Sequence, residues 1–220
     1  MAMVDAAIQY ATKYNWSVFP VRQSDKKPLT PHGCKDAKRD VGAITAWWKR
    51  FPDASIGIAT GSASNLIVID LDLDENKGLD GYEELARWEH DNDEFPETVR
   101  SITGRGGSHI FFHHEGSDIG NRSGILDGID VRGEGGYIIA PPSKHPNGTE
   151  YQWEYAPDEI PLAEINATVR EFLSIGKKEA DEEFVVPALI SAGKRNDTLY
   201  RLACSLQAKG LPDAAIMAAI

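Results

Sequence analysis

The chain has 220 residues, 41% hydrophobic and 26% charged, enough for one domain of about 170 to 180 residues plus an appendage, and unlike a disordered, collagen-like or disulfide-scaffold chain. No stretch approaches the roughly 18 uninterrupted apolar residues of a membrane span, and the start, with Asp5 among alanines, lacks the basic-then-apolar order of a secretory signal, so a cytoplasmic protein with no membrane partner is expected. The net charge of -11 disfavours a phosphate-binding surface spread over the whole molecule, but it is uneven: residues 1–60 carry 9 basic and 5 acidic side chains, residues 61–130 carry 5 and 16.

In chain order, Met3, Ala6, Ala7, Tyr10 and Tyr14 recur at helical spacing over residues 2–14, and Trp16 to Val21 reads as a short strand. Asp40 stands at an N-cap position before Val41, Ile44, Trp47, Trp48 and Phe51, which predicts a helix to about Arg50 that Pro52 stops. Adjacent on that helix, Trp47 and Trp48 cannot both face the core, so one is available to stack on a base unless both pack in the core or at an interface. Strands follow at 55–59 and 66–71 around a turn at Gly61 to Ser64, then a helix at 81–90. Further strands are predicted at 98–102, 108–113, 128–131, 137–140 and 151–155, and a helix at 162–173 closes the unit. His113 and His114, at the far end of the 108–113 strand, are expected to be exposed.

Helices in the first half with a run of short strands suggest an α+β domain over residues 1–176 with a mixed or antiparallel sheet. Residues 177–187, within a stretch rich in Lys, Glu and Asp, read as a linker. Residues 188–220 open a helical module, with Gly210 as a C-cap and a further helix from Pro212 still running at Ile220, so a longer protein is expected. The two cysteines, Cys34 and Cys204, are far apart, which excludes a zinc cluster and leaves them as ordinary thiols.

The chemistry concentrates in three places. Leu66-Ile-Val-Ile-Asp70-Leu-Asp72-Leu-Asp74 is a buried-strand pattern running into alternating aspartates. Residues two apart on a strand share a face, so Asp70 and Asp72 offer paired oxygen donors suited to Mg²⁺ or Mn²⁺, with Asp74 where the strand ends. Leu71 and Leu73 argue that the strand continues through the acids; a solvated acidic loop is the competing reading. In Thr103-Gly-Arg105-Gly-Gly107-Ser108-His109, glycines admit close approach of a phosphate, while Arg105 and His109 can donate to it. An ordinary Gly-rich hairpin ahead of an apolar strand gives the same pattern. In Gly128-Ile-Asp130-Val-Arg132, Asp130 is a third carboxylate sharing a face with Arg132, and Ser143, Lys144 and His145 follow a later strand within reach of phosphates. A salt-bridged Asp–Arg pair and a plain Pro-Pro turn explain that stretch equally well. Together, three carboxylates and cationic Gly-rich turns suit two-metal phosphoryl or nucleotidyl transfer.

The motifs Asp70-Leu-Asp72, Gly-Gly-Ser-His109, Asp130-Val-Arg-Gly, Tyr-Ile-Ile-Ala-Pro-Pro-Ser143 and Tyr151-Gln-Trp153 resemble the bifunctional primase-polymerase (prim-pol) N-terminal domain of the archaeo-eukaryotic primase superfamily. Trp16-Ser-Val-Phe-Pro20, Lys26-Lys27-Pro28, Trp47-Trp48 and Ile56-Gly-Ile-Ala-Thr-Gly61 follow the same pattern, so the resemblance spans residues 5–175. Gly193 to Ala203 is similar to the start of the helical primase C-terminal module that often precedes a helicase.

The resemblance implies an RNA-recognition-motif-like catalytic sheet beside a smaller N-terminal α/β unit, with the site in the cleft between them. It places Asp70, Asp72 and Asp130 on two divalent metals, Mg²⁺ or Mn²⁺. His109 and Arg105 fall on the nucleotide's phosphates, as does the backbone N–H of Gly107, where many relatives have serine; Ser108, Arg132, Ser143, Lys144 and His145 join the nucleotide set from the reading of the residues above. It implies DNA primase and polymerase activity on NTPs or dNTPs, with single-stranded DNA template, a primer and a helicase, as a downstream domain or a separate protein, as partners. The family is frequent on mobile replicons, plasmids and viruses; a zinc-binding stem found in some relatives is not expected here. Template contacts would fall to the basic first third: Lys26, Lys27, Lys35, Lys38 and Arg39, with Lys49 and Arg50. A metal-dependent nuclease and a nonenzymatic initiator or single-strand-binding module are the alternatives.

Overall fold

A computed structural model describes residues 2–116 and 119–176. The expected linker and helical module, and Cys204 with them, lie outside the described residues.

The chain opens with helix α1 (Met3–Lys13), whose Ala6, Ala7, Tyr10 and Ala11 turn inward, and strand β1 (Val18–Val21). In helix α2 (Val41–Arg50) the Asp40 carboxylate caps the N-terminus by accepting from the Ala43 amide at 2.7 Å. Ile44 and Trp48, one turn apart, are its buried face. Trp48 Nε1 donates to the Ala54 carbonyl at 3.1 Å and Trp47 packs half-buried against the core, so both tryptophans serve packing.

Strands β2 (Ser55–Ala59) and β3 (Leu66–Leu71) follow, both buried along their length. A two-residue ribbon, β4 (Leu73–Asp74) and β5 (Leu79–Asp80), leads to helix α3 (Gly81–Asp91), where Asp80 accepts from the Tyr82 and Glu83 amides. The remaining elements are β6 (Arg100–Ile102), β7 (Ser108–His113), β8 (Arg122–Leu126), β9 (Ile129–Arg132), β10 (Tyr137–Ala140), β11 (Gln152–Tyr155) and helix α4 (Ala167–Phe172).

Besides the β4–β5 ribbon, the described strands form two larger sheets, both antiparallel. The smaller has the order β1-β2-β10; the larger runs β11-β6-β7-β3-β9-β8, with β3 paired on both edges. Because side chains alternate along β3, its residues divide between two cores. Leu66 and Val68, with Val99 and Phe111, face Trp16, α1 and the small sheet. Ile67, Ile69 and Leu71, with Ile110, Phe112, Ile129 and Val131, face Leu85 of α3 and Val169 and Phe172 of α4. The architecture is the expected α+β class: a six-stranded antiparallel sheet with few helices.

Several elements differ from the sequence reading. β3 ends at Leu71 rather than running on, because the Asp72 amide donates to the Gly128 carbonyl and its own carbonyl accepts from the Gly81 amide, outside the ladder. β8 was not expected; Gly124 interrupts its pattern and its pairing with β9 shifts register. The closing helix is shorter than 162–173. The His113 amide donates to the Ala163 carbonyl and the Ala163 amide to Thr98 Oγ1, so this backbone is tied to the sheet, and Asn166 then caps a helix of six residues. His114 is buried rather than exposed.

Candidate active site

Directly opposed residues of an antiparallel pair lie about 4.5–5.5 Å apart at Cα and project to the same face. Asp70 on β3 is opposed by His109 on β7 and by Asp130 on β9, and His109 by Ser101 on β6. Four separate stretches of sequence therefore form one transverse row, Ser101–His109–Asp70–Asp130, on the face toward the small sheet. The row lies near the end of β3, where the apolar contacts between the sheets give way to a cleft of about 340 Å³.

Arg132, two residues beyond Asp130 on the same face, folds back across the row. Its Nε and Nη2 donate to Asp70 Oδ2 at 3.1 and 2.9 Å, and Nη2 also donates to Asp130 Oδ2 at 2.6 Å. The other Asp130 oxygen accepts from the Gly124 amide at 2.7 Å. Two carboxylates thus share one guanidinium. Asp72, just past the strand, lines the same cleft. Partial burial, then the charges of Asp70 and Asp130, raise its carboxyl above the usual range.

His109 is 4% exposed. Its Nδ1 lies 3.3 Å from Ser101 Oγ and its Nε2 3.5 Å from Asp70 Oδ1. Burial lowers its pKa despite the neighbouring carboxylate, which favours the neutral ring. Tyr151 stacks against it, with ring centroids 5.9 Å apart. Lys26, Arg105, Tyr137 and His145 complete the polar lining together with Thr103 and Asn121.

The residues anticipated from sequence separate into two groups. Asp70, Asp72, His109 and Arg132 share the cleft, with Asp130 joined to them through register and Arg132; Arg105 and His145 line its rim. Arg105 is held there by Asp74 at 2.9 Å, which gives the third aspartate an ion-pair role. The rest do not converge on the cleft. Gly107 is packed so tightly that a Cβ would lie 2.1 Å from the Leu71 carbonyl oxygen, so its glycine serves packing. Ser108 projects to the face opposite His109, in register with Leu71. Ser143 is fully buried, and its Oγ accepts from the Ile56 amide at 2.8 Å, which ties the turn to the small sheet. Lys144 lies beside Glu150 on the surface.

Among the basic residues assigned to template, Lys27 pairs with Asp25 at 3.8 Å and Arg39 donates to Asn15 at 2.6 Å, while Lys35 and Lys38 are exposed. Lys26 departs from that set: it lines the cleft. Sequence reasoning also missed Tyr151 as a wall of the site, although Tyr151-Gln-Trp153 carried the signal, and Asn121, for which no local pattern exists.

Among the described residues no cluster of three or more His, Cys, Asp or Glu side chains stands ready to hold a metal ion, and a guanidinium spans Asp70 and Asp130. The donor chemistry nevertheless fits Mg²⁺ or Mn²⁺: the row offers carboxylate oxygens, already gathered around one cation.

A family model, bifunctional DNA primase/polymerase, N-terminal, matches residues 7–168. The chain belongs to that family. The match runs from α1 into α4 and includes every residue of the transverse row. No curated protein matches the chain. Membership implies DNA primase/polymerase nucleotidyl transfer and binding of DNA and nucleotides. In this primase/polymerase domain the cleft between the two sheets is the candidate active site. No helix among the described residues is long and apolar enough to cross a membrane.

Proposed function

We propose that this primase/polymerase domain performs divalent-metal-dependent, template-directed nucleotidyl transfer in the cleft of the Asp70–Asp130 row. The primer 3′-oxygen, or the hydroxyl of a first nucleotide, forms a bond to the α-phosphorus of a nucleoside triphosphate. The bond from that phosphorus to the bridging oxygen of the β-phosphate breaks, and pyrophosphate leaves. The observation that carries this reading is the register itself. It sets two carboxylates and a buried imidazole side by side, facing a cleft whose rim carries Lys26 and Arg105.

Asp70, Asp72 and Asp130 would hold Mg²⁺ or Mn²⁺, which would supply Lewis-acid polarisation of the phosphate and ease loss of the attacking hydroxyl's proton to solvent. Arg132 holds the Asp70 and Asp130 oxygens together in the metal-free row and neutralises part of their charge, a place for which the metal would compete. Neutral His109, fixed between Ser101 and Tyr151, is a rigid hydrogen-bond donor to the nucleotide's phosphate oxygens. Arg105 adds a cation at the rim. Single-stranded template would follow the exposed basic surface of Lys27, Lys35, Lys38 and Arg39. A helicase, in the same chain or separate, would supply that strand.

The test is incubation with labelled nucleotides and single-stranded DNA, primed or unprimed, with Mg²⁺, Mn²⁺ or EDTA. Metal-dependent products whose sequence follows the template support the reading, and products without primer add initiation. Shortened DNA would indicate a nuclease, and strand binding without incorporation a binding module; either would overturn it.

A further inference from the structure

The first third of the chain contributes a group to the cleft that its basic composition alone would place on the template path. Lys26 lies in the excursion between β1 and Pro28, which the Arg22 amide to Lys27 carbonyl bond (2.8 Å) and the Leu29 amide to Pro20 carbonyl bond (3.0 Å) fold back on itself. At its tip Lys26 takes a left-handed backbone, φ +57°. A non-glycine residue adopts that conformation at a cost and persists in it only where its surroundings hold it. Here Tyr137 holds it, its hydroxyl donating to the Lys26 carbonyl at 2.9 Å. The side chain then reaches the cleft, where its ammonium lies over the Tyr151 ring, 5.9 Å from the centroid.

Its charge is also uncommitted. Arg132 is matched to Asp70 and Asp130, Arg105 to Asp74, and Arg22 to Asp25. Among the described residues no carboxylate oxygen lies within 4.0 Å of Lys26 Nζ. Burial lowers its pKa, with the charges of Asp70 and Asp72 the largest opposing influences. A half-buried ammonium opposite a carboxylate row lacks an anion of its own. A row that gathers cations and a facing lysine that needs an anion are complementary to a metal-bound polyphosphate.

We propose that Lys26 binds the triphosphate of the incoming nucleotide, closing the cleft from the small-sheet side opposite the carboxylates. The proposal rests on the nucleotidyl-transfer reading and deepens it: a residue of the N-terminal third recognises the substrate, not the template. A cleft of about 340 Å³ suits part of one nucleotide better than a continuous strand.

The test compares wild type with Lys26→Asn, which removes the charge while tolerating a left-handed backbone, and Lys26→Arg, which keeps it. Fluorescent non-hydrolysable nucleoside triphosphate with Mg²⁺, and fluorescent single-stranded DNA, are titrated separately, with melting temperature as the folding control. Lys26→Asn is expected to weaken triphosphate binding roughly ten- to a hundred-fold, the worth of one charge-assisted contact, while DNA affinity stays within about two-fold. Lys26→Arg is expected to recover much of the loss. Weakened DNA binding with triphosphate binding intact would overturn the proposal in favour of a template role, and no change in either would overturn it in favour of plain surface. If wild type incorporates nucleotides and Lys26→Asn binds them normally, the Lys26 assignment fails by itself. If wild type neither binds nor incorporates them, the nucleotidyl-transfer reading fails and this assignment with it.

Discussion

Removing the guanidinium that joins Asp70 to Asp130 tests whether the row is built to gather cations. Arg132→Met keeps most of the aliphatic stem and deletes three donated hydrogen bonds, at 3.1, 2.9 and 2.6 Å. The side chains left behind are 12% and 16% exposed, so two carboxylates remain adjacent and poorly hydrated. Breaking a buried ion pair from one side costs about 3–5 kcal/mol. Arg132 itself is 25% exposed, and solvent screening reduces this to about 2–3 kcal/mol. At about 2–4 °C per kcal/mol for a domain of this size, Arg132→Met should melt roughly 4–12 °C below wild type in EDTA. Divalent metal should then reverse much of the loss. In wild type a metal at the row competes with Arg132, whereas in the variant it does not, so Mn²⁺ should raise the variant's melting temperature more. Metal at a hundred times its dissociation constant adds about 2.7 kcal/mol. The assay is thermal melting in EDTA and across a Mn²⁺ titration. A variant that melts with wild type in EDTA, or gains no more from Mn²⁺, refutes the reasoning.

Other expectations follow from single contacts. Ser143→Ala orphans the buried Ile56 amide and should cost about 1–3 kcal/mol in denaturant unfolding, with the nucleotide KM unchanged; a raised KM at unchanged stability would return Ser143 to the nucleotide site. Gly107→Ala drives a Cβ against the Leu71 carbonyl, and the overpacking should cost about 1–3 kcal/mol by the same measurement; a neutral result would show that the β6–β7 turn can shift. His145 has its pKa lowered, by burial first and then by Lys26, so it is neutral in the fold at pH values where the unfolded chain already takes up a proton. Unfolding stability should therefore decline as pH falls below about 6.5, and His145→Gln should flatten that slope between pH 7 and 5.5; an unaltered slope would show that His145 is not its source.

The parts of the site that lie within one stretch of sequence were legible, and those that depend on pairing were not. A continuous apolar run ending in Asp70 and Asp72 marks a buried central strand and its carboxylates, because burial on both faces removes the polar alternation of an edge strand. That Asp130 lies directly opposite Asp70, with His109 on the other side, is a matter of register between stretches some 40 to 60 residues apart, and only the recognised motif order pointed to it. The purpose of Arg132 was open between ligand binding and a salt bridge with Asp130; the structure adds Asp70 as the guanidinium's second partner. Composition registers only the charge of Lys26, whereas its direction into the cleft depends on a left-handed backbone held by Tyr137, more than a hundred residues away. Ser108 and Gly107 sit in the right motif but spend themselves on packing, one by strand alternation and the other by contact with Leu71. β8 and the shortened α4 escaped because their backbone is governed by sheet contacts rather than by local propensity.

The central claim is that nucleotidyl transfer takes place at the Asp70–Asp130 row. Single-turnover extension of a labelled primer on a DNA template, with Mn²⁺, by wild type, Asp70→Asn and Asp130→Asn tests it most directly. Primer binding and melting temperature, measured alongside, keep misfolding from imitating a catalytic defect. Wild type should extend the primer as the template directs, and each variant should lose about a hundred-fold or more of that rate with DNA still bound. Folded variants that extend the primer at the wild-type rate would contradict the claim.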